Sequence, residues 1–225
     1  GGVSSSVLAA MVSSGITTTR GSIVPCVALP NVKVVPTFHP SFIARYDDPS
    51  KVLEDKKTGI KWDYGASIVA LTLDIQRAWE EAHNDLPPLS LRDFDLTIDP
   101  PSGEAVRRLE GLFSIPQTAF DIETNVATHE VTRIAFTESP TRAFTISMNC
   151  DPSVLLAIAK VMRHHQGLMA QNATFDVTYL MPWAPFGIIH FDTMLAHHRL
   201  YSELPHALHF LASLYTRIPY DLITH

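Results

Sequence analysis

Two hydrophobic periods alternate along the chain. Residues 4–14 mix small and apolar side chains at helical spacing, and Gly15 is a natural C-terminal stop. Residues 32–38 (VKVVPTF) are short and β-branched and predict a strand, with Pro36 ending its ladder bonding. Across residues 64–83, Ile68, Leu71, Ile75 and Trp79 recur at steps of 3, 4 and 4, which predicts an amphipathic helix. Residues 84–103 break that period with Pro87, Pro88, Pro100 and Pro101 and read as a linker. A short helix over 104–113 leads into the second half.

There the period shortens. Residues 117–123, 132–137 and 142–148 predict three strands, close enough together to be consecutive and antiparallel. Residues 151–165 predict a helix opened by Asp151 and Pro152. A short strand over 168–171 follows, then helices over 173–180, 191–201 and 206–215. Strands first, then strands alternating with helices, predict a mixed α/β layer fold. The expected organisation is a first domain at 1–83, a linker at 84–103 and a second domain at 104–225.

Composition narrows the class. The 225 residues are 46% hydrophobic and 18% charged, enough for one large packed core or two small ones, which excludes disorder as the main state. A formal net charge of −6 excludes a polycation. Residues 1–46 nevertheless carry Arg20, Lys33 and Arg45 and no acid. That island is permissive of a phosphate partner, or is simply a charge-poor buried region. Cys26 and Cys150 lie far apart without a C-x-x-C, so neither a disulfide scaffold nor a cysteine zinc site is expected, and a cytoplasmic setting is the default. His197, His198, His206 and His209 have helical spacing but no supporting zinc pattern. Trp62, Trp79 and Trp183 read as packing residues. No stretch offers the roughly 20 predominantly apolar residues of a membrane span. No basic n-region marks a signal peptide, and neither a P-loop nor G-x-G-x-x-G occurs.

The candidate chemistry lies in the second half. Asp121 and Glu123 stand at i and i+2 of a predicted strand, so both point to one face. Two adjacent acids repel unless a cation separates them, and oxygen ligands suit Mg²⁺ or Mn²⁺. Asp176 follows a short apolar strand, with Asn172 four residues earlier. Three carboxylates at one sheet edge fit a two-metal phosphoryl-transfer site.

These residues resemble the DEDD family of 3′→5′ exonucleases, especially the proofreading domain of family A DNA polymerases of phage type. Asp121 and Glu123 match the family's first motif, and Asn172 and Asp176 its second. Phe191-Asp192-Thr193-Met194-Leu195, then Leu208, Leu211 and Ala212, look like its following helical segment. The resemblance covers about residues 116–216. It implies a ribonuclease H-like mixed sheet with flanking helices and two Mg²⁺ or Mn²⁺ ions held by Asp121, Glu123 and Asp176. It further implies contacts to a single-stranded DNA 3′ end at Asn172 and Thr124, a polymerase domain downstream, and a phage-infected or bacterial cytoplasm. The family's third motif, Tyr-x-x-x-Asp or His-x-x-x-Asp, has no match between Thr193 and His225. A site short of that ligand is the expectation, with a catalytically incomplete nucleic-acid-binding module or an RNA-processing relative as the alternatives.

In the first half, Thr37–Arg45 (TFHPSFIAR) places His39 before a proline turn. Alone it reads as a capped turn, or as a histidine able to steady negative charge on an expelled base beside an apolar wedge. With Ile16–Gly21 (ITTTRG) upstream it resembles the C-terminal half of uracil-DNA glycosylases. That likeness implies a partial α/β domain with nucleic-acid contacts at His39, Ser41 and Arg45. The parts that make a complete glycosylase are not in this sequence, so glycosylase activity is not expected.

Overall fold

The computed structural model describes residues 16–26, 29, 31–44, 53–54, 61–62, 64–182 and 185–218. The chain separates into two compact units, Gly1–Leu91 with His197–His225, and Arg92–Ala196. The helix expected at 4–14 and the side chains of Arg45, Trp62 and Trp183 lie outside the described parts. In the first unit come α1 (Ile16–Thr19), β1 (Val24–Pro25), β2 (Lys33–Val34), α2 (Pro40–Ala44), β3 (Leu53–Glu54), β4 (Lys61–Trp62) and α3 (Tyr64–Ala82). The second unit holds β5 (Asp95–Ile98), α4 (Ser102–Gly111), β6 (Thr118–Thr124), β7 (Val131–Ser139) and β8 (Arg142–Ser147). It continues with α5 (Pro152–His164), β9 (Leu168–Ala170), α6 (Ala173–Leu180) and β10 (Ile189–Asp192). After β10 come α7 (Thr193–Leu200) and α8 (Leu208–Tyr215).

The second unit is built on a six-stranded mixed sheet in the order β10-β9-β6-β7-β8-β5. Strands β6, β7 and β8 are consecutive and antiparallel, as their spacing predicts, while β9 joins β6 and β10 joins β9 in parallel. Their register lines up like with like. Phe120, Phe136 and Phe144 form one cross-strand row, and Ile122, Ile134 and Ile146 the next. All six are buried, and α4 and α5 cover them with Leu109, Ile158, Val161 and Met162. The opposite face of the same rows carries Asp121 beside Ala135 and Glu123 beside Arg133. A side-chain period of two thus divides β6 into a core face and a chemical face. At the start of β9, a Cβ on Gly167 would fall 1.9 Å from the Pro116 carbonyl oxygen, so only glycine admits this approach of β9 to β6.

Helix α5 starts as expected. Asp151 caps it by accepting the Ser153 N–H at 2.8 Å, with Pro152 in the first turn. Two other expectations fail. The linker at 84–103 contains β5, which extends the sheet by pairing in parallel with β8. Its prolines flank the strand rather than interrupt it, so the turn signals hold and the four-residue strand Asp95–Ile98 lies between them. The helix expected over 191–201 is strand β10 followed by α7, because Asp192 ends the strand and caps the helix.

The first unit packs Phe38, Ile43, Ala66, Ala70, Leu204, Phe210 and Leu211 into its own core. Helix α3 is present, but of the expected apolar stripe only Leu71 packs against the core. Ile75 is 58% and Trp79 70% exposed, while Ala66, Ala70, Asp74 and Glu81 face inward. Counting apolar positions assumes that acids face water. Here Asp74 is paired with Arg20, and Glu81 with Lys33 and Arg217. Trp79 accordingly lies against His83 rather than in a core. The same pairs engage Arg20 and Lys33 of the cationic island: Arg20 is 1% exposed, donates to Asp74 and Ser213, and stacks over Phe210. Gly21, at φ +73°, follows it where a Cβ would meet the Ser213 carbonyl at 2.8 Å. The strand expected at 32–38 shrinks to Lys33–Val34, since its partner β1 is two residues long and Pro36 has no N–H to offer.

Removing one member of a buried ion pair leaves the other charge stranded, at about 3–5 kcal/mol. Arg20→Met is therefore expected to lower the unfolding free energy of the first unit by that amount, read as a lower urea midpoint with little change in slope. Combining it with Asp74→Leu should restore most of the loss, and a double variant no better than the single one would contradict this account.

Candidate active site

The site forms where β9 stops. That strand pairs with β6 at Thr118 and Ala119, leaving the rest of this β6 edge without a strand neighbour. A buried N–H there needs an acceptor. Asp176, in the first turn of α6, supplies it: the Ile122 N–H donates to Asp176 Oδ1 at 3.2 Å. Ile122 lies between Asp121 and Glu123, so this one bond brings the helix carboxylate to the strand pair. Asp121 and Glu123 keep an open face, whereas Asp176 is 1% exposed.

The electrostatics follow from this crowding. Burial, then the Asp121 charge and Asp192, push the Asp176 carboxyl up to about 7 from an ordinary 3.8. Burial and the neighbouring Glu123 likewise raise Asp121. Cross-strand Arg133 does not neutralise Glu123. Its guanidinium goes instead to Asp99, with Nη1 donating to Oδ1 at 3.0 Å. Neither Asp121 nor Glu123 forms an ion pair among the described residues. Hard oxygen donors that repel one another and lack a cation have the chemistry that suits Mg²⁺ or Mn²⁺. Among the described residues, however, no three His, Cys, Asp or Glu side chains close into a metal-binding group. The carboxylates face one another without forming a closed cage.

The remaining second-half positions surround this point. Thr124 ends β6, and the pairing with β7 shifts register between Glu123 and Thr124. Asn172 sits at the N-cap of α6 at φ 59°, a left-handed conformation that asparagine tolerates, and its side chain makes no cap bond. Asp192, which the sequence places within a helix, fixes the geometry. Its Oδ1 accepts the N–H groups of Asn172 (3.2 Å), Met194 (2.8 Å) and Leu195 (3.2 Å), and its Oδ2 that of Ala173 (2.8 Å). One carboxylate thus joins the starts of α6 and α7. The available signal was an acid just after an apolar β-like run, the usual place for a cap.

His39 and Ser41 belong to the other unit. His39 Nδ1 accepts the Ser41 N–H at 3.1 Å and lies 2.7 Å from its hydroxyl, which puts the proton of a neutral ring on the exposed Nε2. Both residues are exposed. His197, His198, His206 and His209 form no metal-binding group among the described residues. Among these residues no helix is long and apolar enough to cross a membrane.

No protein-family model matches the chain, and no curated protein matches it. Solved structures do. The catalytic core of RRP6 from Trypanosoma brucei is 18% identical, with a TM-score of 0.50 over 80% of this chain and 54% of that one. RNase D from Escherichia coli, an exoribonuclease involved in structured RNA processing, is 11% identical with a TM-score of 0.48, over 57% of this chain and 35% of that one. The POL domain of Pol1 from M. smegmatis, in complex with DNA primer-template and dNTP, is 15% identical with a TM-score of 0.40, over 45% and 19%. The chain spans less than two thirds of the length of each. The likeness to the RRP6 core shows a shared fold, a ribonuclease H-like mixed sheet with flanking helices.

The raised Asp176 carboxyl has a definite sign. Between about pH 4 and pH 7 the folded state holds a proton that the unfolded state has lost, so stability falls as pH rises through that window. The loss is on the order of 4 kcal/mol when complete. Asn at this position keeps the acceptor oxygen for Ile122 and carries no charge. In metal-free buffer, Asp176→Asn should match the wild type in thermal unfolding at pH 4 and exceed it at pH 8. A difference independent of pH would refute the assignment.

Proposed function

We propose that the six-stranded unit is a metal-dependent 3′→5′ exonuclease module that proofreads for a DNA polymerase. The observation that carries this reading is the Ile122–Asp176 bond, which sets Asp176 against the strand that carries Asp121 and Glu123 on one face. Support comes from the motif resemblance and from the shared ribonuclease H-like fold. Two divalent ions, Mg²⁺ or Mn²⁺, would supply an acidified water nucleophile and charge to steady the leaving oxygen. Asp121 and Glu123 present their open faces to that charge, and Asp176 approaches from the helix side. Water adds to phosphorus, the bond to the 3′ oxygen breaks, and that oxygen takes up a proton. A nucleoside 5′-monophosphate leaves and the strand ends one residue shorter.

The substrate in this reading is a single-stranded DNA 3′ end, with a polymerase domain as the neighbouring partner. DNA is favoured over RNA by the glycosylase-like residues of the first unit, because uracil is a lesion only in DNA. A 5′-labelled oligonucleotide with Mn²⁺ tests the reading. The wild type should release 3′ nucleotides one by one, and Asp121→Ala with Glu123→Ala should slow this by at least about a hundredfold. Equal rates for wild type and double variant would sink the nuclease assignment. Faster degradation of a ribo-oligonucleotide of the same sequence would move the module to RNA processing.

A further inference from the structure

Helix α3 has a finished face and an open one. On the finished face Ala66 and Ala70 belong to the first unit's core, and Val69, Leu71 and Leu73 pack against it. On the open face Gly65, Ile68, Thr72, Ile75, Trp79 and Ala82 are all exposed. Their steps are 3, 4, 3, 4 and 3. That alternation is the heptad seam by which one helix packs into another, narrower than the stripe a helix turns to a globular core. Isolated exposed apolar side chains need no explanation. A seam kept in register from residue 65 to residue 82, about 25 Å along the axis, does.

The seam is prepared for apolar contact. The Thr72 hydroxyl donates to the Ile68 carbonyl at 2.9 Å, so its polar atom is satisfied within the helix. The Trp79 ring rests against His83, with centroids 4.7 Å apart. None of the helix's charged residues stands on the seam. Asp74 and Glu81 are buried in ion pairs, Arg77 donates to the Leu214 carbonyl at 3.0 Å, and Glu80 accepts the Gln76 side chain at 2.9 Å. The flanking positions are Val69, Leu71, Gln76, Ala78 and His83, with no carboxylate, lysine or arginine among them. Charges at such positions select an unlike partner or repel a like one. A seam without them is open to its own copy.

We propose that α3 is a dimerisation helix, and that two copies of this chain associate through an antiparallel pair of these seams. The spacing is self-complementary in that direction. About a two-fold axis between residues 73 and 74, Gly65 of one copy meets Ala82 of the other, Ile68 meets Trp79, and Thr72 meets Ile75. Parallel pairing would set Trp79 against Trp79 at one end and Gly65 against Gly65 at the other, overfilling the first and leaving the second empty. The first unit's core already holds α3 as a helix, so association carries no cost of forming it. The pairing does not depend on the chemistry of the carboxylate site.

Sedimentation velocity of the full chain, at loadings from a few to a few hundred micromolar, tests the association. The wild type should move from the 24.9 kDa of one chain towards twice that mass. Ile75→Glu and, separately, Trp79→Glu change exposed side chains and should stay at one-chain mass, a loss of at least about a hundredfold in association. A wild type at one-chain mass at every loading overturns the proposal without depending on any variant's folding. So does either variant if it dimerises as the wild type does. Cross-linking with a short bis-maleimide, in a Cys26→Ser and Cys150→Ser background, tests the direction. Gly65→Cys with Ala82→Cys leaves Ile68, Ile75 and Trp79 in place and should give a covalent dimer, whereas either substitution alone should not. Within one chain the two positions are about 25 Å apart along the helix, too far for an internal link. Cross-linking by a single variant, or none by the pair, overturns the antiparallel register.

Discussion

A single N–H organises the second unit's candidate chemistry. Strand β9 is too short to cover the edge of β6, so the Ile122 amide has no strand carbonyl on that side and takes Asp176 instead. The bond satisfies a buried donor and draws a third carboxylate into the space of the other two. It also explains why the acid tolerates burial: one oxygen has a donor, and proton uptake can remove the remaining charge. Were β9 two residues longer, the edge would be filled by backbone and Asp176 would have no reason to approach.

Asp192 solves a similar problem without any call for chemistry. Two helices begin close together, and each brings N–H groups with no intrahelical acceptor. Four of these meet one carboxylate. Its charge is met by amide dipoles, and it does not need a cation. The contrast separates two uses of an acid in one unit. Asp192 is saturated by donors and organises the chain, whereas Asp121 and Glu123 stand side by side with an open face and no ion pair. Arg133 sharpens the distinction, since it faces Glu123 across the ladder yet is engaged by Asp99.

The sequence made one layer of this structure legible and hid another. The alternation of β6 revealed that Asp121 and Glu123 share a face, and the spacing of three short apolar runs gave the antiparallel meander. The Asp151-Pro152 signal fixed the start of α5 within a residue. These are local features, and local rules suffice for them. What stayed hidden depended on partners far along the chain. Strand β5 is four residues long within a proline-flanked stretch and becomes a strand because β8 lies beside it. The turn from β10 into α7 is decided by Asp192, whose bonds reach back to Asn172 and Ala173. The spacing in α3 predicts an amphipathic helix, but ion pairs with Arg20, Lys33 and Arg217 bury Asp74 and Glu81 while Ile75 and Trp79 stay exposed.

Long-range ion pairing therefore defeats a count of apolar positions in a specific way. A buried acid costs several kcal/mol when alone, and much less when a guanidinium and hydroxyls close around it. Arg20 and Thr37 do this for Asp74. The same physics read in reverse points to the candidate site. Within one chain, acids that have gathered donors mark places where the fold has been secured. Acids held close together without them mark places where the fold leaves charge to be met by something outside it. Asp121 and Glu123 are of the second kind, and Asp176 stands between the two, with one oxygen given to the backbone and its proton uptake set first by burial and then by its neighbours.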